Sequence, residues 1–371
     1  MIAVLPIVLV IGFIYEKYND NIKINDYVKV GFFVLLIRFA AVLAVCFATK
    51  RSYVEAFNIW DGPHYIDIAE NGYVKSGSGA EFIVFYPLYP FLIRALAFIF
   101  GSSTVSALVI SNTCAVAGGI YFYKLCRIDM NEEDGIFALM LMYTFPFSFF
   151  MSGVYTESLF IMLVSMTMYY TLKGKYLPAA AAAFLAALTR VQGVLLAVFM
   201  LAEIFKANRK KCAYALCPAG GFGIYLLINK AVFGNAFEFM KYQKEVWYQQ
   251  PSWIGDNIAK FANYVFEGSE LSYQIMLPQL VLFVLACTVI YLAVKRGMRT
   301  SFGIYAAAYI FTVYSASWLL SGGRYTAGLT VLYQAAATAV KNKSVRRGII
   351  IFNTLLMIVY AVLYANFKQI M

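Results

Sequence analysis

The stretch FYPLYPFLIRALAFIF, residues 85–100, decides the topology of this chain. It is apolar enough to be taken for a membrane crossing, yet Pro87 and Pro90 open it and Pro63 lies a little upstream. If it crosses, every later segment changes side and the clusters of Lys and Arg face outward. If it lies along the membrane surface, the same clusters all face the cytoplasm, where positive charge at span ends is enriched. Proline lacks a backbone donor and breaks a regular helix, which suits an irregular loop followed by a surface helix. Residues 49–104 therefore read as one external loop.

Outside that loop the composition excludes a soluble globule. Of the 371 residues, 62% are hydrophobic and only 13% charged, with a mean hydropathy of +0.71, whereas soluble domains carry about 25% charge. The expected fold is an all-α polytopic membrane protein, because a helix satisfies its own backbone in lipid. Apolar stretches predict spans near residues 1–15, 28–48, 105–126, 135–152, 155–172, 177–189, 191–206, 212–233, 271–294, 301–320, 325–340 and 348–366. Allowing for merged or split segments gives about 11–13 spans. Met1–Tyr15 has no basic region before it and no small-residue cleavage site after it, so it reads as an additional short span. No 20–50-residue repeat or low-complexity linker divides the chain, so 1–371 reads as one membrane domain with a second external loop at 234–270.

Sidedness follows from charge. The net charge of +11 arises in short clusters: Lys173/Lys175, Lys206/Arg209/Lys210/Lys211, Lys295/Arg296/Arg299 and Lys341/Lys343/Arg346/Arg347. Their position between apolar runs predicts cytoplasmic connections rather than nucleic-acid binding. The other face then carries the 49–104 loop, the Tyr155–Ser158 corner, Thr189–Arg190 and Ser321–Tyr325. The six cysteines lie in or beside apolar segments without CxxC or metal-ligand spacing, which reads as packing. The alanines at 179–183, 186 and 187 let helices approach closely.

The candidate chemistry gathers on the external face. Asp61 follows the end of a span, where a carboxylate can accept a proton from an attacking hydroxyl. Trp60, Tyr65, Tyr86 and Tyr89 offer flat faces for a sugar ring; they equally suit an aromatic belt around a solvated acid. His64 is the only histidine, which excludes multi-histidine metal sites; it could position a substrate, share a proton with Asp61, or simply hydrogen-bond within the loop. Asp67 and Glu70, on an expected helix at 65–70, read as a solvated face. Glu157 opens an apolar helix, where an acid faces a cavity or is held at the helix N-terminus with Thr156 as cap. Arg190 and Arg324 can bind phosphate oxygens in pairs or snorkel to the interface. An acid in the loop, arginines at the surface and an apolar body together suit a lipid-phosphate substrate.

Several stretches carry a resemblance. Trp60–Tyr65 (WDGPHY), Ile68–Tyr73 (IAENGY), Phe85–Pro90 (FYPLYP), Pro146–Phe150 (PFSFF), Tyr155–Phe160 (YTESLF), Leu188–Arg190 (LTR) and Arg324–Tyr325 resemble, in order, motifs of PIG-V-like mannosyltransferases, a family of the GT-C membrane glycosyltransferases. Beyond about residue 200 the likeness thins to Arg324–Tyr325. Tyr86 stands where many relatives carry Phe, and the loops are short.

The resemblance implies a GT-C-like helix bundle that moves a sugar, usually mannose, from a polyprenyl-phosphate sugar to an acceptor hydroxyl on the external face. It implies inversion with Asp61 as base, and a small or lipid-linked acceptor or glycan. On that reading Arg190 and Arg324 stabilise the departing phosphate, Glu157 positions the sugar or holds an arginine, and His64 orients the acceptor. Trp60, Tyr65, Tyr86, Tyr89, Tyr155 and Tyr325 complete the expected substrate-binding set. No resident cofactor is required; the acids could take a divalent cation, but their spacing does not demand one. The expected partners are membrane lipid, the lipid-linked sugar and its acceptor, and the compact length suits a prokaryotic plasma membrane. A polyprenyl-lipid or glycolipid transporter or flippase is the rival class, although no duplicated halves are visible. A noncatalytic subunit of a transferase is a third.

Overall fold

The structure, a computed structural model, describes residues 24–370 apart from 269 and 271. The expected first span, 1–15, lies outside the described residues. α1 (Ile24–Thr49) leads through α2 (Tyr53–Phe57) and α3 (Gly62–Asn71) into α4 (Leu88–Phe100) and α5 (Ser103–Asp129). Next come α6 (Glu132–Thr144), α7 (Glu157–Leu172), α8 (Tyr176–Ala187), α9 (Leu196–Ala207) and α10 (Cys217–Phe233). The last part holds α11 (Glu238–Glu245), α12 (Ile254–Glu267), α13 (Leu277–Lys295), α14 (Thr300–Tyr314), α15 (Gly322–Ala327), α16 (Thr330–Ala339) and α17 (Lys343–Ala365). No strand occurs among the described residues. The chain is an all-helical polytopic membrane protein, as its composition requires.

Burial separates the helices into a centre and a lipid-facing rim. Every residue from Glu157 to Thr171 is buried, so α7 is the central post; a helix apolar on all sides needs such surroundings. α5 can lie close against it because Gly118 has no side chain, and a Cβ there would stand 3.3 Å from the Met162 backbone. Ala179, Ala183, Ala186 and Ala187 of α8 are fully buried. By contrast α1 exposes Phe32, Phe39 and Phe47, and α17 exposes Ile351, Phe352 and Leu355. Apolar side chains in that position meet lipid tails.

α4 has 13 residues and rises about 20 Å, shorter than a hydrocarbon core of about 30 Å, as are α6, α8 and α9. Arg94 gives Nε to the Ala69 carbonyl at 2.5 Å and Nη2 to the Glu70 carbonyl at 2.9 Å, so α4 closes the C-terminal end of α3. The Leu88 amide donates to the Leu188 carbonyl at 3.1 Å, tying the loop to the end of α8.

Several stretches expected as continuous spans are broken instead. Residues 135–152 divide into α6 and a 3-10 turn, Ser148–Ser152, with Pro146 at the break. Residues 191–206 begin as a 3-10 turn, Val191–Leu195, and 325–340 divide into α15 and α16. The helix expected at 65–70 runs from Gly62 to Asn71, because Pro63 in its first turn needs no donor there.

The opposite helix ends are joined by charge. Arg299 holds Asp129 at 2.5 Å and Glu203 at 3.6 Å, Lys341 holds Asp134 at 2.7 Å, and Lys343 holds Glu133 at 3.2 Å. Two of the basic clusters expected on one face therefore converge there, at the ends of α5, α6, α9, α13, α14 and α16.

Candidate active site

The four segments assigned to the external face meet. Asp61 is the N-cap residue of α3, and its backbone carbonyl accepts from the His64 amide at 3.1 Å. Its carboxylate makes no capping bond. It turns to Arg324 instead, whose Nη1 lies 2.5 Å from Asp61 Oδ2. Trp60 just before it has φ of 57°, a left-handed conformation rare outside glycine; such residues cost of order 1–3 kcal/mol and are held by their surroundings. Here the indole Nε1 donates to the Tyr364 carbonyl at 3.4 Å, and the Val154 amide donates to the Phe57 carbonyl at 3.0 Å.

Arg324 also donates through Nε to Glu157 Oε1 at 2.5 Å, and Arg190 Nη1 reaches the same oxygen at 2.9 Å. Two carboxylates and two guanidinium groups thus form one connected cluster of zero net charge. Glu157 is fully buried, while the Asp61 side chain is 22% exposed. The cluster therefore has a closed inner end and an open outer end at the loop. Glu157 Oε2 has no hydrogen-bond partner among the described residues, leaving an acceptor for a ligand hydroxyl.

Aromatic rings hold the arginines in place. Arg324 lies 4.5 Å over Tyr155 and 5.5 Å over Phe150, and Arg190 lies 5.0 Å over Tyr325. Cation–π contact adds to attraction when the site is desolvated. Tyr155 donates to the Ile59 carbonyl at 2.8 Å, and Tyr364 donates to the Tyr155 hydroxyl at 2.9 Å. The backbone under Arg324 is equally constrained: a Cβ at Gly323 would lie 2.4 Å from the Phe147 ring. Thr156 precedes α7 but its side chain makes no cap, so Glu157 is held by arginines and not by the capping arrangement its position suggested.

The remaining expected residues divide. His64 sits in an aromatic box, its ring 4.3 Å from Phe82, 5.5 Å from Phe85 and 6.1 Å from Trp247. Burial pushes its pKa below the usual 6.5, against the opposing pull of Asp61, Glu81 and Asp67. Tyr65 is buried edge-on to Phe85 and Tyr89, and burial pushes its hydroxyl up to about 12. Tyr89 is fully buried, with its hydroxyl 2.8 Å from Ser111 Oγ. Tyr86 stacks on Tyr225 at 4.2 Å. Tyr86 and Tyr89 thus pack away from the charged cluster, whereas Tyr155 and Tyr325 lie against its arginines, Tyr65 interacts electrostatically with all four charged groups, and the Trp60 ring packs on Phe367.

Sequence reading passed over Phe150 as a site residue and Tyr364 altogether. Phe150 lay in a quoted motif, but Tyr364 sits in the last span with nothing local to mark it. Trp247 lies in the aromatic 234–270 loop, where no local signal separates it from the other rings. Among the described residues no group of three His, Cys, Asp or Glu side chains is arranged to hold a metal ion.

Residues 86–232 match the family described as dolichyl-phosphate-mannose-protein mannosyltransferase. The match includes Tyr155, Glu157 and Arg190; Asp61 and Arg324 lie outside it. It supports a GT-C mannosyltransferase-like family for this membrane protein, without singling out the PIG-V-like branch. Comparison with curated proteins and with solved structures finds no match.

Proposed function

We propose that this protein is an inverting membrane glycosyltransferase that moves mannose from a polyprenyl-phosphate sugar to an acceptor hydroxyl on the extracytoplasmic face of a prokaryotic plasma membrane. The observation that carries this reading is the partly open Asp61 carboxylate joined through Arg324 to buried Glu157 and Arg190. The similarity of residues 86–232 to mannosyltransferases supports the donor class.

In the proposed reaction Asp61 takes the proton of the acceptor hydroxyl. The oxygen attacks the anomeric carbon, the bond from that carbon to the phosphate oxygen breaks, and polyprenyl phosphate leaves with the electron pair. Arg324 and Arg190 supply fixed positive charge where negative charge grows, an effect strongest in a water-poor site. Substrate phosphate competes with Asp61 for Arg324, so donor binding itself would release the base. Glu157 keeps both guanidinium groups in place and offers Oε2 to a sugar hydroxyl. His64, neutral at pH 7, orients the acceptor within its aromatic box.

The deciding experiment supplies purified protein in lipid with radiolabelled polyprenyl-phosphate mannose and total membrane lipid, alongside a hydroxyl-containing peptide. Label entering a lipid product with wild type but not with Asp61→Asn supports donor, acceptor class and base together. Label entering the peptide instead would replace the lipid-linked acceptor by a protein one. Equal transfer by Asp61→Asn would remove Asp61 as the base, and donor that binds without transfer would favour translocation.

A further inference from the structure

At the basic end of the bundle, opposite the Asp61 cluster, the loop between α13 and α14 and the end of α16 enclose a cavity of about 540 Å³. Its lining carries three cations, Arg296, Arg299 and Lys341, against two carboxylates, Asp129 and Asp134. Both acids are already engaged. Asp129 receives Arg299 Nε at 2.5 Å and Nη2 at 2.6 Å, and Asp134 receives Lys341 at 2.7 Å together with Arg346. Arg296 remains without a carboxylate among the described residues; its Nη1 donates to the Ala339 carbonyl.

Gln334 supplies the second, independent sign of a ligand. It lines the cavity from α16, is only 2% exposed, and its Nε2 has no hydrogen-bond partner among the described residues. A buried amide donor left unpaired is costly, and a bound acceptor removes that cost. Met298 and Phe302 add apolar wall beside these donors.

We infer that this cavity binds a phosphate group at the cytoplasmic membrane surface, through the Arg296 guanidinium and the Gln334 amide. Guanidinium matches two phosphate oxygens at once, and the amide serves a third. Met298 and Phe302 suit the glycerol and first methylenes of a phospholipid, while free phosphate would use the polar groups alone. The site lies apart from the proposed sugar-transfer centre and does not depend on that reaction.

The test measures binding to the full-length protein in a neutral detergent by calorimetry, using short-chain phosphatidylglycerol and, separately, inorganic phosphate. Wild type is expected to bind at least one probe saturably, with Arg296→Gln and Gln334→Leu each weakening it by about tenfold or more. Arg296→Lys, which keeps the charge, should retain part of the affinity. Saturation by the lipid alone identifies a headgroup site; equal saturation by phosphate identifies a free-anion site. No saturable binding by wild type, or unchanged affinity in Arg296→Gln, overturns the inference. Arg296 is exposed, so its variants carry the test if Gln334→Leu does not fold.

Discussion

Arg324 and Asp61 stand 263 positions apart in the chain, and the guanidinium of one lies 2.5 Å from the carboxylate of the other. The same arginine grips Glu157, so the loop, the start of the central helix and the short α15 share one charge cluster. The Asp61 carboxylate, though paired, remains partly open to the loop. If it is the base, Asp61→Asn should lower kcat by about 10²- to 10⁴-fold with little change in KM. Initial rates across donor concentrations check this; a rise in KM alone would make Asp61 a binding group.

Glu157 is the inner anchor of two arginines, and buried ionic partners are costly to remove singly. Glu157→Gln should destabilise the protein by about 3–5 kcal/mol, because it leaves positive charge uncompensated. The double variant Glu157→Gln/Arg190→Gln should lose less than the sum of the singles, by about 0.5–3 kcal/mol of coupling. Thermal unfolding in detergent measures all three. Additive losses would show that the pair acts independently.

His64 carries a pH signature. Its folded pKa lies below the usual 6.5, so near neutral pH both folded and unfolded forms are uncharged there and no cost arises. As pH falls below 6.5 the unfolded form gains a proton first, and stability declines until pH reaches the folded pKa. His64→Gln should flatten this decline while leaving stability at pH 8 little changed. Unfolding midpoints between pH 4.5 and 8 test it, with an unchanged slope excluding His64 as the source.

Gly323 is required by space rather than backbone freedom. A Cβ would enter the Phe147 ring at 2.4 Å, and overpacking of this kind costs about 1–3 kcal/mol. Gly323→Ala should therefore also displace Arg324 and reduce turnover. Pairing it with Phe147→Leu should restore part of both stability and rate. A fully active Gly323→Ala protein would show that the arginine tolerates the shift.

The arrangement of acids also predicts indifference to chelators. Asp61 is committed to Arg324, and Glu157 to two arginines. Transfer should proceed at the same rate with EDTA as without it. Loss on chelation and recovery with a single divalent cation would require the acids to exchange arginine for metal when substrate binds.

Most of the helical content was legible because lipid imposes a strong rule on sequence: long apolar segments must satisfy their own backbone. α1, α5 and α17 follow that rule closely. The reading lost detail where a span breaks, as at 145–148 and 327–330, because a short interruption hardly alters mean hydropathy. The placement of candidate residues was legible in part. Lone charges at apolar segment ends marked Asp61, Glu157, Arg190 and Arg324, and those four come together. Tyr86 and Tyr89 carried the same aromatic signal as Tyr65, yet they pack against Tyr225 and Ser111. An aromatic ring does not reveal from sequence whether it faces a ligand or a neighbouring helix.

The sequence by itself determined that the chain lives in a membrane and that many of its basic residues fall in short clusters between apolar segments. Hydropathy and charge act locally, so these conclusions need no knowledge of contacts. Only the tertiary structure decided which acid meets which arginine, that Glu157 serves two of them, and that Tyr364 closes the site beneath Tyr155. Those outcomes depend on how helices distant in sequence cross and where they break, which no single stretch of the chain encodes.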